Sequence, residues 1–458
     1  MRQDLSRASF SPPPLEFDDS IGRWFAETPH TADEITAWQL ERAWRIVERV
    51  AATNPFYSTR LSLPDVRDAE EFRALPVTRK DAIVADCAAN PPYGSRTVVE
   101  APNIRMVVQT SGTSGLGTEV YALDEADLDA IVRTEAVGFL WAGIGPGTRV
   151  LLTLPIGMSA AGQWYSAALR FIGANVFSAG PYPSGRKVDL LQQFEAEVLI
   201  GTPTYVQRLA VVCEDAGLRP SDTPVRTLIV AGQPFSHAWA RSIQERWNAT
   251  LYEQYGCTER AIAWTCPGGV VDDGRLRVLH FPPESGYYEV IDPATGRPVE
   301  DGQLGELVVT PFGADASPLV RYATGDRVRW MAPASCPCGR PLAGIGAGEV
   351  ERFDDMLKIK GVNVWPATFD RAIFAVEGVT DYRGTVQTLA DGGEQIAIRA
   401  EGSGDPPELA EAISASIRRL TGLSALVALE PAGTLAREVP EGFVKVKRIH
   451  DQREIRQQ

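Results

Sequence analysis

Between Thr148 and Pro234 short apolar runs alternate with amphipathic stretches, and the runs close on Gly or Pro turns. RVLLTLP reads as a strand and AAGQWYSAALRFIGANVF as a helix and a strand. VDLLQQFEAEVLIGTPTYVQRLA repeats helix, strand and helix, and TPVRTLIVAGQP adds a strand ending in a glycine turn. Strands that alternate with helices are the pattern of a mainly parallel sheet flanked by helices, so the expected fold class is α/β. Helices are also expected from about Ala32 to Ala52, stopped at Asn54–Tyr57, and from Asp124 to Ala142, where acidic residues suit a helix N-terminus. After Glu284 the texture changes. YYEVIDPATGRPVEDGQLGELVVTPF has strand-like runs parted by Pro and Gly turns, which predicts a small antiparallel, barrel-like part. From Asp354 onward a strand, helix, strand, strand, helix, strand pattern marks a small α+β unit. We therefore expect a large domain over 1–353 and a small one over 354–458.

With 458 residues, 44% hydrophobic and 23% charged, the chain has the composition of a globular protein with a large core. Its net charge of -14 argues against general polyanion binding, which needs clustered Lys and Arg, so no nucleic-acid partner is expected. MRQDLSRASFSPPPLEF has charges and prolines where a signal peptide needs an apolar core. The longest uncharged stretch, Val150–Leu169, contains Pro155, Gly157 and Gly162; we read it as buried strand and loop, not a membrane span. A cytoplasmic location without membrane association is expected. Six cysteines in this length do not suggest a disulfide scaffold.

Polar chemistry is concentrated in a few short segments. Gln109–Thr118 (QTSGTSGLGT) follows the apolar run Ile104–Val108, and its glycines and hydroxyls would turn donors toward an anion. No Gly-Lys-Ser/Thr follows, so it is not a Walker loop; alone, such a run equally describes a flexible surface loop. AGQP (Ala231–Pro234) sits at a strand end, where open α/β sheets bind ligands. In EQYGCTE (Glu253–Glu259), Glu259 would hold magnesium and Tyr255 offers a flat face to a base. In RYATGD (Arg321–Asp326), the carboxylate behind the glycine would accept both hydroxyls of a ribose. Singly, these also read as a helix cap, a core tyrosine and a turn aspartate.

Together and in this order, TSGTSGLGT, YGCTE and YATGD resemble the adenylate-forming superfamily of acyl-CoA synthetases. ERFDDMLKIKGVNVWPATFD (Glu351–Asp370) and QLERAWRIVERVAATNPFY (Gln39–Tyr57) resemble its phenylacetate-CoA ligase branch. The resemblance covers nearly the whole chain after the leader. It implies an N-terminal ATP- and acyl-binding domain, a mobile C-terminal lid and a two-step reaction. ATP and a carboxylic acid give an acyl-adenylate and pyrophosphate; a thiol, usually coenzyme A, then displaces AMP. The resemblance places Thr110, Ser111, Gly112, Thr113, Ser114, Gly115 and Thr118 on the β- and γ-phosphates. Gly232, Gln233, Pro234, Tyr255 and Gly256 would frame the nucleotide base, Thr258 and Glu259 would hold phosphate and magnesium, and Asp326 and Arg352 would bind the ribose. Asp354 would be the hinge. In GFVKVKRIHDQR (Gly442–Arg453), alignment on the tail makes Lys445 the lid lysine that reaches the acyl carboxylate and α-phosphate, with Lys447 the competitor. The chain departs from the family pattern at Leu116 and Gly117 (commonly Lys-Pro), at Gln233 (usually acidic), at Glu351 (normally glycine) and in the FVK around Lys445 (usually Gly-Lys).

Cys336 and Cys338 flank a proline in a tight turn that presents two thiolates. With Cys266 and His280 they would make a closed structural zinc site of three sulfurs and one imidazole, as some relatives of this branch also suggest. Reduced structural thiols are the other reading. The expected acyl pocket comprises Phe139, Trp141, Trp164, Thr202, Pro203 and Ala231, whose flat walls suit an aromatic acid; aromatic residues are also ordinary core. The acceptor is coenzyme A, or else a carrier protein's pantetheine or another nucleophile; the sequence does not give the oligomeric state, and a homodimer would be in keeping with the resemblance. A non-catalytic nucleotide- or zinc-binding homologue is the contrasting reading. The presence of Glu259, Asp326 and a lid lysine argues against it.

Overall fold

The structure, a computed structural model, describes residues 31–110, 117–157, 160–272, 274–389, 392–439 and 447–453. Ser111, Gly112, Thr113, Ser114, Gly115 and Lys445 lie outside the described residues.

At one end of a twelve-stranded sheet, five strands run parallel from the edge inward in the order Asn175–Ser178, Arg149–Leu152, Val198–Gly201, Thr227–Ala231 and Thr250–Gly256. Val198, Leu199 and Ile200 are all buried, as are Leu228, Ile229 and Val230, because helices cover both faces of the sheet. Alternate side chains enter opposite layers. Leu151, Leu199 and Leu228 join one core cluster, and Val150, Leu152, Ile200 and Ile229 the other. The helices Ala160–Phe171, Ser184–Gln193, Pro203–Asp215 and His237–Trp247 supply the crossovers. Beyond Thr250–Gly256 the sheet continues with antiparallel pairings through Ile262–Thr265, Val278–His280, Gly344–Gly346, Tyr322–Met331, Leu304–Pro311 and Gly286–Ile291. This is the expected α/β fold.

Val150–Leu169, expected as strand and loop, holds a strand to Leu152 and from Ala160 a helix. Ala160, Trp164, Ala168 and Leu169 are buried at three-to-four spacing, which is the helical period. Beyond Arg352 the chain builds separate sheets. Leu357–Ile359 pairs with Val362–Val364, and four strands follow in the order Ala425–Glu430, Glu394–Gly402, Val379–Thr388 and Ile449–Asp451. The helices Pro366–Phe374 and Pro406–Thr421 accompany them; the second is capped by the Asp405 carboxylate and ends at Gly422, whose φ of 73° suits glycine.

The helix Glu125–Trp141 opens at Asp124, whose side chain accepts from the Asp127 N–H, and lies close against the sheet. At Gly138 a Cβ would fall 1.9 Å from the Trp264 ring. One turn earlier Glu135, 1% exposed, accepts hydrogen bonds from Trp264 Nε1 (3.2 Å) and Gln254 Nε2 (3.2 Å). Burial outweighs these donors and pushes the Glu135 carboxyl up to about 8.

Gly138→Ala should destabilise the fold by about 1–3 kcal/mol in urea titration, because neither helix nor ring can retreat without disturbing the core. The folded chain holds a proton on Glu135 that the unfolded chain releases, so this group's contribution to stability falls as pH rises toward about 8. Melting curves from about pH 5 to about pH 8 should show Glu135→Gln losing less Tm than the parent.

Candidate active site

Because those five strands are parallel, the residues that follow Gly201, Ala231 and Gly256 gather at one edge of the sheet. These are the Thr202–Tyr205 turn, Gly232–Pro234 and Cys257–Glu259. Gly232 turns the chain with φ of 80°. The Gln233 side chain points to the neighbouring turn, where its Oε1 accepts from the Thr204 N–H (3.3 Å) and Oγ1 (2.8 Å). It thereby caps the helix Pro203–Asp215. Thr202 Oγ1 and Trp164 Nε1 are buried with no hydrogen-bond partner among the described residues. Thr202 is the N-cap residue of the helix Pro203–Asp215 at the strand-end turn, and Trp164 lies on the helix Ala160–Phe171.

The segment expected to bind phosphates lies between Met106–Gln109 and Val120–Leu123, an antiparallel pair. Its base is closed by Thr110 N–H donating to Glu119 O (3.1 Å) and by Glu119 N–H donating to Thr110 Oγ1 (2.9 Å). That closure aims the Glu119 carboxylate inward, fully buried, beside Glu259. Tyr322 OH donates to Glu119 Oε1 (2.7 Å) and approaches Glu259 Oε1 (3.4 Å). Lys80 Nζ lies 3.3 Å from Glu119 Oε2 and 3.5 Å from Thr110 Oγ1. Burial, and then the charge of Glu119, push the Glu259 carboxyl well above its ordinary range. Sequence reasoning missed Glu119, Lys80 and Tyr322 in this cluster. A lone acidic residue between a polar loop and the apolar Val120-Tyr121 was the available signal for Glu119.

Tyr255 OH donates to Asp326 Oδ2 (2.5 Å), and Arg352 Nη1 donates to Asp326 Oδ1 (3.3 Å). The register sets Asp326 opposite Arg352 across an antiparallel pair. Gly325, with φ of 74°, leaves room for the guanidinium, since a Cβ there would lie 3.1 Å from Arg352 Nη2. Arg352 continues to Asp354 (Nε–Oδ1 3.0 Å), and the adjacent Asp355 receives Lys447 Nζ at 2.7 Å. The expected base, ribose and hinge residues thus form one hydrogen-bonded chain.

Two aromatic residues expected in the acyl pocket, Phe139 and Trp141, pack against other groups in the structure. Phe139 is core, against Trp264 (4.8 Å) and Tyr165 (5.4 Å), in the layer opposite the one that holds Trp164. Its helix packs on the sheet through that face, so the ring is committed to the core. Trp141 stands edge-on to His280 (6.5 Å), with the Arg340 guanidinium 4.7 Å above it. Trp164, Thr202, Pro203 and Ala231 are buried near the strand ends, with Thr258 and Thr118 more open.

Cys266, His280, Cys336 and Cys338 converge with their ligand atoms within 4.8 Å of one another. Strand register accomplishes this. Leu279 pairs with Thr265 and His280 with Gly344, which brings both loops to the histidine. His280 Nδ1 faces Leu342 O (3.2 Å), leaving Nε2 toward Cys338 Sγ (3.3 Å). Burial works against ionisation of Cys336, yet the neighbouring His280 ring and backbone N–H groups bring its thiol down to about 6. Three thiols and an oriented imidazole in a closed cluster have the donor set of a structural zinc site.

The family model described as AMP-binding enzyme matches residues 66–312. The chain belongs to the AMP-binding enzyme family. The phenylacetate-coenzyme A ligase of Pseudomonas putida is 28% identical over 442 residues, 92% of this chain and 95% of that one. The ligase of the same name from Thermus thermophilus is 29% identical over 402 residues, 86% and 85% of the two chains. Among solved structures, 2-hydroxyisobutyryl-CoA ligase in the postadenylation state superposes with a TM-score of 0.81 at 24% identity, covering 93% of this chain and 91% of that chain. In this AMP-binding enzyme the family match ends before Tyr322–Met331, so the places of Asp326 and Arg352 rest on the hydrogen bonds above.

Proposed function

We propose that this AMP-forming ligase activates an aromatic carboxylic acid, with the residues at the strand edge doing the work. The overall reaction is that of an acid–CoA ligase: ATP and the acid form an acyl-adenylate, and coenzyme A then takes the acyl group. The observation that carries the site assignment is the bonded chain Tyr255–Asp326–Arg352–Asp354 beside the buried Glu259. Asp326 would accept the ribose hydroxyls, Tyr255 would stack on the adenine, and Arg352 would hold Asp326 in place. Thr110, Thr118 and the intervening loop would cradle the terminal phosphates.

Glu259, with Thr258 beside it, would hold magnesium, and the crowding of Glu259 against Glu119 fits a divalent cation better than two bare charges. When bound, the ion offsets charge on the phosphates. The lid would comprise residues 354–458 and turn about Asp354. It would bring Lys445 to the acyl carboxylate and α-phosphate for adenylation and then withdraw it. Lys447 is tied to Asp355, which favours Lys445 for this task. The buried orphan atoms Thr202 Oγ1 and Trp164 Nε1 would line the acyl cavity, with the Trp164 ring as its flat wall. The Cys–His cluster would hold structural zinc. A soluble, cytoplasmic enzyme fits these roles, and no helix among the described residues is long and apolar enough to cross a membrane.

Acid-dependent ATP–pyrophosphate exchange without coenzyme A, across benzoic, hydroxy- and aminobenzoic, phenylacetic and cinnamic acids, tests the substrate class. Exchange should appear with at least one aromatic acid and exceed that with aliphatic acids by about tenfold or more. Exchange only with aliphatic acids overturns the aromatic reading. Metal analysis of the purified chain should find one zinc per molecule. Cys338→Ser should lose it and lower Tm by about 5 °C or more. Zinc-free protein with an unchanged Tm would rule out the metal site.

A further inference from the structure

The short helix Thr434–Arg437 is gripped from two sides. From within the lid, the Glu401 carboxylate accepts from the N–H groups of Gly433 (2.7 Å) and Leu435 (2.5 Å), and Arg399 pairs with Glu438 (2.7 Å). From the large domain, Arg208, 9% exposed, donates to the carbonyls of Ala436 (3.1 Å) and Val439. Ser184 Oγ braces its Nε at 3.0 Å. Asp215 receives both arms of the Arg437 guanidinium, Nε at 3.0 Å. Between them Val211 lies so close that a Cβ on Gly433 would come within 3.0 Å of it. Arg208, Val211 and Asp215 share one face of the helix Pro203–Asp215 by their spacing of three and four.

This helix begins at the Thr202–Tyr205 turn, on the acyl side of the site. Lys447, at the other described end of the lid segment that follows Val439, is paired with Asp355 beside the ribose chain. The chain is thus fixed at Val439 on the acyl side and at Lys447 on the ribose side, with Lys445 belonging to the intervening sequence. Charge-assisted hydrogen bonds from a buried guanidinium to carbonyls are strong and directional, whereas the half-exposed Arg437–Asp215 pair adds mainly orientation.

We propose that Arg208, assisted by Asp215, is a positioning residue: it clamps the lid against the acyl-pocket helix for adenylation and must let go before acyl transfer. The proposal rests on the assignment of Lys445 as the lid lysine. Undocking withdraws the Ala436 and Val439 carbonyls together, so the lid has discrete docked and released positions rather than a continuous range.

The two half-reactions separate this role from simple stabilisation. Arg208→Ala should slow ATP–pyrophosphate exchange by about tenfold or more, Asp215→Arg by a few-fold, and both should leave transfer from preformed acyl-AMP to coenzyme A within about twofold of the parent. Arg437→Asp added to Asp215→Arg should restore exchange, which ties the loss to this contact, while the unchanged transfer half-reaction separates it from lost stability. Equal loss of both half-reactions, no change in either, or failure of the charge swap to rescue would overturn the clamp. Lys445→Ala serves as the control. If it slows exchange while Arg208→Ala does not, the clamp fails and the lysine reading stands. If Arg208→Ala slows exchange and Lys445→Ala does not, the clamp stands and another lid group does the chemistry.

Discussion

Two carboxylates buried side by side, Glu119 and Glu259, are the constraint around which this site is built. Their proximity is tolerated because burial and the charge of Glu119 raise the Glu259 carboxyl so that it keeps its proton, while Tyr322 donates to Glu119 and Lys80 stands 3.3 Å from it. That requirement ties together parts of the chain that are far apart: the helix carrying Lys80, the hairpin carrying Glu119, the strand end carrying Glu259 and the strand opening at Tyr322. In the proposed reading a cation travelling with phosphates would take the place of the proton on Glu259 and draw the two carboxylates together.

Much of this was legible in the sequence because five strands of the large sheet are parallel. Among parallel strands a Gly or polar turn after an apolar run always emerges at the same edge, so AGQP and YGCTE meet without knowledge of the tertiary fold. Asp326 and Arg352 were legible from motif order, and a two-residue ladder brings them together. The Cys–His cluster was legible from residue type although its spacing is wide, since antiparallel neighbours bring residues distant in sequence to the same row.

What escaped the sequence depended on which face a residue occupies. Glu119 became visible as a site residue only through the hairpin that folds it back beneath Thr110. Phe139 and Trp141 look alike as aromatic residues near the end of one helix, yet one is committed to the core and the other to the Cys–His cluster. Gln233 was expected at the adenine because of the loop that carries it. Its amide oxygen also accepts from Thr204, a contact that a motif does not show because a side chain's rotamer is not written in it.

The strand Thr250–Gly256 carries a further consequence. Adjacent residues on it face opposite ways: Tyr255 reaches Asp326 at the ribose chain, while Gln254 reaches Glu135 in the core beneath the helix Glu125–Trp141. A single inserted residue would exchange these two faces, placing an amide at the nucleotide and a phenol against a buried carboxyl. The ladder with both neighbouring strands therefore fixes which layer each side chain of Thr250–Gly256 enters, and a change of register anywhere along it reaches the strand-end turn and the core together.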